Sequence, residues 1–496
     1  MFRFLLFLAL IPGKYVTYEQ FGAVGDGIHD DQAAIIAAHA AANEQGLPVK
    51  ANDHATYYIG NGTESAIIET DVDFGKAHFV IDDTHLTDIR KSLFIVRSSQ
   101  QPIHPQGVTT LQRGQTNIGV TLPCRCLVNV VDASRKVYIR YGLNQNDGTS
   151  TEEVFIAEKD GTVDAKGPIV WDYANITSIT AYPIDKKRLT IKGGIFTTIA
   201  NQAESRYDYH SRNIVINRSN VLVDGLTHFV EGEQDHGAPY SGFVSVERAA
   251  EVVVRNCLLT PHKTYRTIGS AGKPVSMGSY DIQATRTIDM LLKNCRQTRD
   301  IDDSTYWGLF ASNFCKDLQM KGCVISRFDA HMGVTNIHLE DCIFGYMGVQ
   351  MVGFGDMIIK GCEIHTSNLV SLRDDYGSSW EGDIFVKNCR IVPLAMRSGV
   401  VTILSGYNPG THDFGYECKL PRSIVIDGLT VESGNAKADD VPVIFSSFGR
   451  DVSVPGLLPY DVPEKVVMRH VKVAGDKQFQ LSTNPEMFRS VELIYK

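Results

Sequence analysis

Residues 321–364 read KGCVISRFDAHMGVTNIHLEDCIFGYMGVQMVGFGDMIIKGCEI, and this stretch decides the fold. It contains three copies of one phrase, a glycine or aspartate followed by a cysteine, and each copy follows a short β-like run. Three more copies lie outside it, at Asn256-Cys257, Asn294-Cys295 and Asn388-Cys389. These six cysteines follow one another after 38, 28, 19, 20 and 27 residues. A base step of about 20 residues with longer steps between indicates a solenoid of stacked coils with variable loops.

The composition limits the possible partners. The 496 residues carry a net charge of −9, so the chain has no broad basic field for nucleic acid, and an anionic substrate needs a local cationic groove. The segment from Met1 to Pro12 places one arginine before an apolar run and resembles a short secretory signal, with a buried N-terminal strand as the alternative. No segment is long and apolar enough to span a membrane. We therefore expect a secreted or periplasmic protein.

The ten cysteines allow two interpretations. In an exported protein they suggest disulfides, and cysteines stacked in adjacent coils approach disulfide distance. Their regular place in the repeat instead favours small buried core residues, about 4.8 Å apart in a parallel sheet. Cys124-Arg125-Cys126 comes nearest to a zinc motif, but its spacing is wrong. We expect core packing and keep disulfides as the alternative.

The pattern divides the chain into four parts: a signal segment at 1–13, an N-terminal cap with the first coils at 14–91, an inserted β subdomain at 92–187, and a parallel β-helix with the active-site groove at 188–496. In the cap, Asp30 is predicted to N-cap a helix that ends at Gly46 and covers the open edge of the solenoid. In the insertion, the alternating runs 137–141, 154–157 and 169–171 predict antiparallel strands.

The N-terminal motif adds a family resemblance. The stretch Phe21-Gly22-Ala23-Val24-Gly25-Asp26-Gly27, with Asp30-Asp31 after it, resembles the N-terminal signature of the pectate-lyase-like right-handed parallel β-helix superfamily. The resemblance implies an all-β, right-handed parallel β-helix and a carbohydrate-related role. Members include lyases and hydrolases of acidic polysaccharides and some phage tail spikes. The motif itself is structural and says little about the reaction.

Polar residues end the strand that precedes each cysteine strand, and stacking places these ends on one face, where they predict a groove for a linear polymer. β-Elimination from a uronic acid needs a group that neutralises the carboxylate, a base for the α-proton and an acid or water for the leaving oxygen. His331 is the predicted base, because its ordinary pKa lies near working pH. The other predicted catalytic residues are Arg373, Asn313 and Tyr306. The predicted substrate-binding residues are Asn336, Arg286, Trp307, Asp374, Tyr376, His236, Lys263 and His412.

Each residue also has a structural interpretation. Arg373 can pair with Asp374 or Asp375, Asn313 and Asn336 can form stacked amide ladders, and His331 can be a hydrogen-bonded turn residue. Glycoside hydrolysis needs two carboxylates across the bond, and five aspartates offer them: Asp281, Asp302, Asp303, Asp374 and Asp375. The sequence requires no cofactor, although the Asp374-Asp375 pair offers a calcium site like those of some family lyases.

Function is predicted partly by elimination. Polygalacturonate hydrolases of the superfamily carry Asn-Thr-Asp, Gly-His-Gly and Arg-Ile-Lys motifs, and none of these occurs here. We therefore predict a lyase of a pectic or glycosaminoglycan-type acidic polysaccharide. The alternatives are a hydrolase that uses groove aspartates and a non-catalytic, tail-spike-like binding protein.

Overall fold

The computed structural model describes residues 14–60, 62, 64–87, 90–203, 212–235, 240–396, 399–434, 440–450 and 461–496. The predicted signal segment at 1–13 therefore lies outside the described residues. Within the described ranges the chain is almost all β, with one α-helix, α1 (Gln32–Gln45), and three short 3-10 turns at Glu19–Phe21, Gly142–Asn144 and Asp374–Tyr376. Among these residues no helix has the length and apolarity needed to cross a membrane.

The strands of the cap, the first coils and the insertion are β1 (Asp26–Asp30), β2 (Val49–Lys50), β3 (Thr56–Ile59), β4 (Ala66–Ile68), β5 (Val72–Asp82), β6 (Phe94–Arg97), β7 (Cys126–Val137), β8 (Thr149–Ala157) and β9 (Ser178–Pro183). The next are β10 (Leu189–Ile199), β11 (Ile214–Asn217), β12 (Val221–Asp224), β13 (Thr227–Glu231), β14 (Val244–Glu247), β15 (Ala250–Arg255), β16 (Leu258–Leu259), β17 (Tyr265–Ile268), β18 (Pro274–Met277), β19 (Ile282–Thr285), β20 (Ile288–Lys293) and β21 (Arg296–Gln297). The last are β22 (Phe310–Asn313), β23 (Lys316–Lys321), β24 (Val324–Glu340), β25 (Ile343–Lys360), β26 (Glu363–Ile364), β27 (Asn368–Leu372), β28 (Trp380–Glu381), β29 (Asp383–Ile391), β30 (Thr402–Ser405), β31 (Ser423–Val431), β32 (Val443–Phe445), β33 (Lys465–Val473), β34 (Gln480–Ser482) and β35 (Glu492–Tyr495).

Thirty of these strands form one parallel sheet that winds into a β-helix. Each coil contributes to three ladders, which we call the groove ladder, the cysteine-side ladder and the third ladder. The groove ladder runs through β11, β14, β19, β22 and the middles of β24 and β25 to β27 and β30. The cysteine-side ladder runs through β12, β15, β20 and β23 to the ends of β24 and β25. The third ladder consists of the short strands that follow the cysteines, such as β16, β21 and β26. The predicted parallel β-helix is confirmed.

The cysteine phrases mark the corner between the cysteine-side ladder and the third ladder. The residue before each cysteine has a positive φ, for example 55° at Asn256, 52° at Asp341 and 63° at Gly361. Asparagine, aspartate and glycine tolerate this left-handed conformation best, which explains why the phrase begins with one of them. At Gly361 a side chain would also meet Asp341, since a Cβ there would lie 2.3 Å from its Oδ1.

The six cysteines of the phrases pack inside the coils. Each is at most 2% exposed, and Cys323 Sγ lies 3.4 Å from the backbone nitrogen of Cys295 in the coil before it. All ten cysteines of the chain are free thiols, and nine are buried. The prediction of core packing is confirmed, and the disulfide alternative is wrong in this structure.

Helix α1 lies over the first coils, and Gly46 ends it with φ 65°, as predicted. Its N-cap residue is Asp31 rather than Asp30. The Asp31 carboxylate accepts hydrogen bonds from the backbone N–H groups of Val24 and Gly25, whereas Asp30 accepts one from Gln32 N. The motif therefore acts as a turn that fixes the chain before the helix.

The insertion is a three-stranded antiparallel sheet in the order β8-β7-β9. The coils on its two sides stack directly, because β5 pairs with β10 and β6 pairs with β11. Two of its predicted strands are wrong. Residues 138–141 leave the sheet at Tyr138, which has φ 53°. Residues 169–171 are not a strand, because the N–H groups of Val170 and Trp171 donate to the Glu153 carboxylate instead of a neighbouring strand.

Candidate active site

The insertion covers much of the face on which the groove was predicted. Its core includes Phe314, Val352, Phe354 and Tyr376 from the β-helix, which pack with the apolar residues of β7 and β8. Charged pairs join the same two layers. They are Arg286 with Glu152, Lys316 with Glu153, Arg125 with Glu251, and Lys166 with Asp289. The strand ends that were expected to bind a polymer therefore largely bind the insertion.

A cluster of ionisable side chains remains beside the insertion, on the groove ladder. Register places Asp329 of β24 between Ala311 of β22 and Gln350 of β25. Arg327, Asp329 and His331 alternate along β24, so they share the outward face of this strand. Asp329 is nevertheless fully buried, because the side chains around it close over its carboxylate.

Four side chains converge on the Asp329 carboxylate. Arg373 Nη1 donates to Oδ1 over 2.7 Å, and Arg327 Nη2 lies 2.5 Å from Oδ2. The Tyr280 hydroxyl donates to Oδ2 over 2.5 Å, and His331 Nε2 lies 3.2 Å from the same oxygen. Burial acts to raise the pKa of Asp329, but Arg327 and Arg373 outweigh it, so this pKa lies well below its ordinary value. Asp329 is therefore a permanent anion at the centre of the cluster.

His331 is the member of the cluster that combines exposure with a free ring nitrogen. Its side chain is 21% exposed. Burial lowers its pKa below 6.5, and the attraction of Asp329 offsets only part of this effect. The imidazole is thus neutral at neutral pH. When its Nε2 carries the proton toward Asp329, Nδ1 is left as a proton acceptor.

The insertion adds Arg140 to the cluster. Arg140 Nε donates to Asp375 Oδ2 over 2.8 Å, and Arg373 Nη2 donates to the same oxygen over 2.9 Å. Burial acts to raise the pKa of Asp375, but the two arginines lower it below its ordinary value. The guanidinium groups of Arg140 and Arg373 lie 5.4 and 5.6 Å from the centroid of the Tyr376 ring. Arg373 therefore connects Asp329 with Asp375, which Arg140 also binds.

Trp307 closes the other side of the cluster. The Arg327 guanidinium lies 4.4 Å from the Trp307 ring centroid and 5.7 Å from that of Tyr280. Arg327 Nε and Nη1, and Trp307 Nε1, are buried without a hydrogen-bond partner in the described part of the chain. Trp307 thus lies beside the cluster, with the Arg327 guanidinium against its ring, and its predicted substrate contact stays a prediction.

The remaining predicted residues lie apart from this cluster. Tyr306 pairs by a bridge with Lys263 and lies 5.5 Å below Arg299, and Lys263 Nζ lies 3.4 Å from Glu233 O. Arg286 forms a bidentate pair with Glu152 at 2.7 and 2.6 Å.

The two predicted asparagines differ in their hydrogen bonds. Asn336 donates to Lys166 O and accepts from Asp356 N, both over 3.0 Å, so these partners are main-chain groups rather than the stacked amides of a ladder. Asn313 Oδ1 is buried without a partner in the described part of the chain. His412 lies in a separate cleft. His236 is outside the described residues.

The carboxylates considered for hydrolysis are dispersed. Asp281 is buried, with His228 Nδ1 at 2.7 Å and His262 Nε2 at 3.3 Å. Asp302 pairs with His365 at 2.8 Å. Asp374 is exposed beside the engaged Asp375, so the expected calcium pair offers one free carboxylate. Over the described ranges, no group of three or more His, Cys, Asp or Glu side chains is arranged to bind a metal ion.

His331 and Arg373 were predicted as site residues from the sequence, whereas four of their neighbours were not: Tyr280, Arg327, Asp329 and Arg140. The period-two spacing of Arg327, Asp329 and His331 was a usable signal, because it places them on one face of a strand. Arg140 had no such signal, since its contact with Asp375 spans 235 residues of sequence.

The fold and the cluster define a parallel β-helix protein with a charged site on one ladder. No family model matches the chain, and no curated protein matches it. Among solved structures it is similar to the tailspike protein gp49 from Pseudomonas phage LKA1, with TM-score 0.51 and 13% identity, covering 96% of this chain and 84% of that chain. It is also similar to the Gp54 tailspike of Acinetobacter baumannii bacteriophage AP22 in complex with A. baumannii capsular saccharide, with TM-score 0.51 and 11% identity, covering 97% and 79%. At such low identity the likeness shows the fold alone, and the pectate-lyase-like superfamily stays a prediction.

Proposed function

We propose that the protein binds an acidic polysaccharide beside Asp329 and His331 and cleaves it by β-elimination. The observation that carries this proposal is the neutral, partly exposed imidazole of His331, which Asp329 orients among three arginines. A general base must be unprotonated at working pH and positioned by a second group, and His331 meets both conditions.

Each step uses a residue of the cluster. A uronate carboxylate approaches Arg140 and Arg373, which neutralise it and make the adjacent α-proton acidic. His331 removes that proton, and the fixed charge of Asp329 stabilises the imidazolium that forms. The electron pair forms the new carbon–carbon double bond as the glycosidic oxygen leaves. A water molecule supplies the proton to this oxygen, because Tyr306, the predicted acid, lies apart from the cluster.

The carboxylates argue against hydrolysis as the first choice. A hydrolase needs a general acid whose pKa is raised, opposite a second carboxylate. Partial burial and the neighbouring Asp375 raise the pKa of Asp374, as an acid requires. Asp329 and Asp375 have lowered pKa values because arginines engage both, so neither is free to act as the second carboxylate. A carbohydrate partner is also compatible with the similar Gp54 tailspike, which was solved with a capsular saccharide.

Incubation with a panel of pectic and glycosaminoglycan polysaccharides tests the proposal. We expect ultraviolet absorbance of unsaturated uronate to grow with the unmodified chain and to disappear with His331→Ala. His338→Ala is the matched control, because His338 lies outward on the same strand at its other end. New reducing ends without absorbance would instead indicate hydrolysis. Binding without either product would indicate a binding protein, and full activity of His331→Ala would remove the base assignment.

A further inference from the structure

A second cleft lies where the insertion meets the C-terminal coils. Its volume is about 720 Å³, a size common for small-ligand sites. The insertion contributes Arg135 and Trp171 to its lining, and the loop after β30 contributes His412 and Tyr416. None of these residues belongs to the Asp329 cluster.

The cleft follows the cluster along the β-helix. Asp329 pairs in register with Gln350, Gln350 with Ser371 and Ser371 with Ser405. At about 4.8 Å per coil, these three steps place the strand before the cleft roughly 14 Å further along the axis. A polymer lying along the axis can therefore reach both places.

The carboxylates that line the cleft are already engaged. Glu381 accepts both Nη groups of Arg113, at 2.9 and 3.1 Å, and lies 3.5 Å from Lys419 Nζ. Asp172 accepts a hydrogen bond from Arg113 N over 2.8 Å, and Asp413 accepts one from Gly415 N over 2.8 Å. The fourth, Glu417, is a largely exposed partner of Lys419 at 3.9 Å.

Arg135 is a lining cation that lies against an aromatic ring. Its guanidinium lies 5.2 Å from the Trp171 ring centroid, and no carboxylate of the described residues is within ion-pair distance of it. Trp171 is 8% exposed and is fixed by edge contacts with Phe354 at 5.2 Å and Tyr416 at 6.0 Å. The Trp171 ring is therefore held in place, and the Arg135 guanidinium beside it has no carboxylate partner among the described residues.

We propose that this cleft is a second glycan subsite that takes a carboxylated sugar unit. The sugar carboxylate binds Arg135, because a planar guanidinium pairs with a carboxylate in two parallel hydrogen bonds. The rings of Tyr416 and His412 provide apolar surface for the sugar. This inference rests on the proposed function only in taking the same acidic polysaccharide as ligand, and it requires no chemistry in the cleft.

Calorimetric titration of the full chain tests the subsite, with His331→Ala present to prevent turnover. Digalacturonate and a hyaluronan disaccharide are the probes, because each is too short to span the roughly 14 Å between the two places. We expect two binding events with at least one probe, and we expect Arg135→Gln to weaken one of them at least about tenfold. Arg489→Gln is the matched control, because Arg489 is 81% exposed near the C-terminus and does not line the cleft.

Three results would overturn the subsite: a single binding event with both probes, unchanged binding by Arg135→Gln, or equal binding of a carboxyl-reduced digalacturonate. The outcomes also separate it from the proposed reaction. Two binding events without unsaturated product from the unmodified chain would remove the β-elimination and leave the subsite. Unsaturated product together with unchanged binding by Arg135→Gln would support the β-elimination and remove the subsite.

Discussion

Replacement of Asp329 by asparagine tests the charge argument most directly. The variant keeps the shape of the side chain but removes the anion that lies 2.7 Å from Arg373 Nη1 and 2.5 Å from Arg327 Nη2. The Arg327 side chain is 3% exposed and that of Arg373 is 9% exposed, so water cannot replace the lost carboxylate. Breaking a buried pair from one side costs about 3–5 kcal/mol, and we expect a loss of this size in the free energy of unfolding.

Urea unfolding followed by tryptophan fluorescence measures this loss, and Trp307 reports locally because its ring lies 4.4 Å from Arg327. Asp356→Asn is the matched control, since Asp356 is an exposed aspartate on β25. Activity should also fall, by about 10²-fold or more, because His331 loses its orienting partner and the attraction that raises its pKa. A variant within about 0.5 kcal/mol of the unmodified chain, a change typical of surface sites, would refute the reasoning.

Three further predictions follow from buried groups. Native protein should react with a thiol reagent at no more than one of its ten cysteines, the partly exposed Cys124, and all ten should react after unfolding, whereas fewer would reveal disulfides. Lys316→Met should lower the free energy of unfolding by about 3–5 kcal/mol, because it strands the buried Glu153, and adding Glu153→Gln should recover part of the loss in the same urea assay. Burial lowers the pKa of His262, but Asp281 and Glu233 outweigh it and raise it to about 9. This contribution, roughly 3 kcal/mol, is complete below pH 6.5 and disappears as pH rises through about 9, so His262→Gln should flatten the alkaline loss of stability seen in pH-dependent melting.

The sequence predicted the structure where the backbone conformation or the packing at a position restricts the residue type. The left-handed corner before each cysteine selects asparagine, aspartate or glycine, and the inside of the coil selects a small apolar side chain such as Cys342. Both demands recur in every coil, so the fold could be predicted from one chain. His331 was recognisable because stacking places the strand ends that precede the cysteine strands on one face, and because its ordinary pKa lies near working pH.

The position of the insertion could not be predicted in this way. Its contacts join residues far apart in sequence, such as Arg286 with Glu152 and Arg140 with Asp375. Neither pair produces a periodic pattern in the sequence, since each contact depends on how the insertion packs on the β-helix. Strand ends that face solvent in a bare β-helix therefore became partners of the insertion, and Arg286 acquired a partner other than substrate.

The charges of the cluster give an independent argument about its ligand. Arg140, Arg327 and Arg373 face two aspartates, Asp329 and Asp375, while His331 is neutral at pH 7. These ion pairs engage two carboxylates with three arginines, and the third nearby carboxylate, Asp374, is exposed to water, where screening weakens its attraction to Arg373. The excess of positive charge among the buried groups would attract an anion that binds beside His331, but it would not attract a neutral glycan. The cluster thus favours a ligand with one carboxylate per binding position, which is the chemistry of a uronate chain.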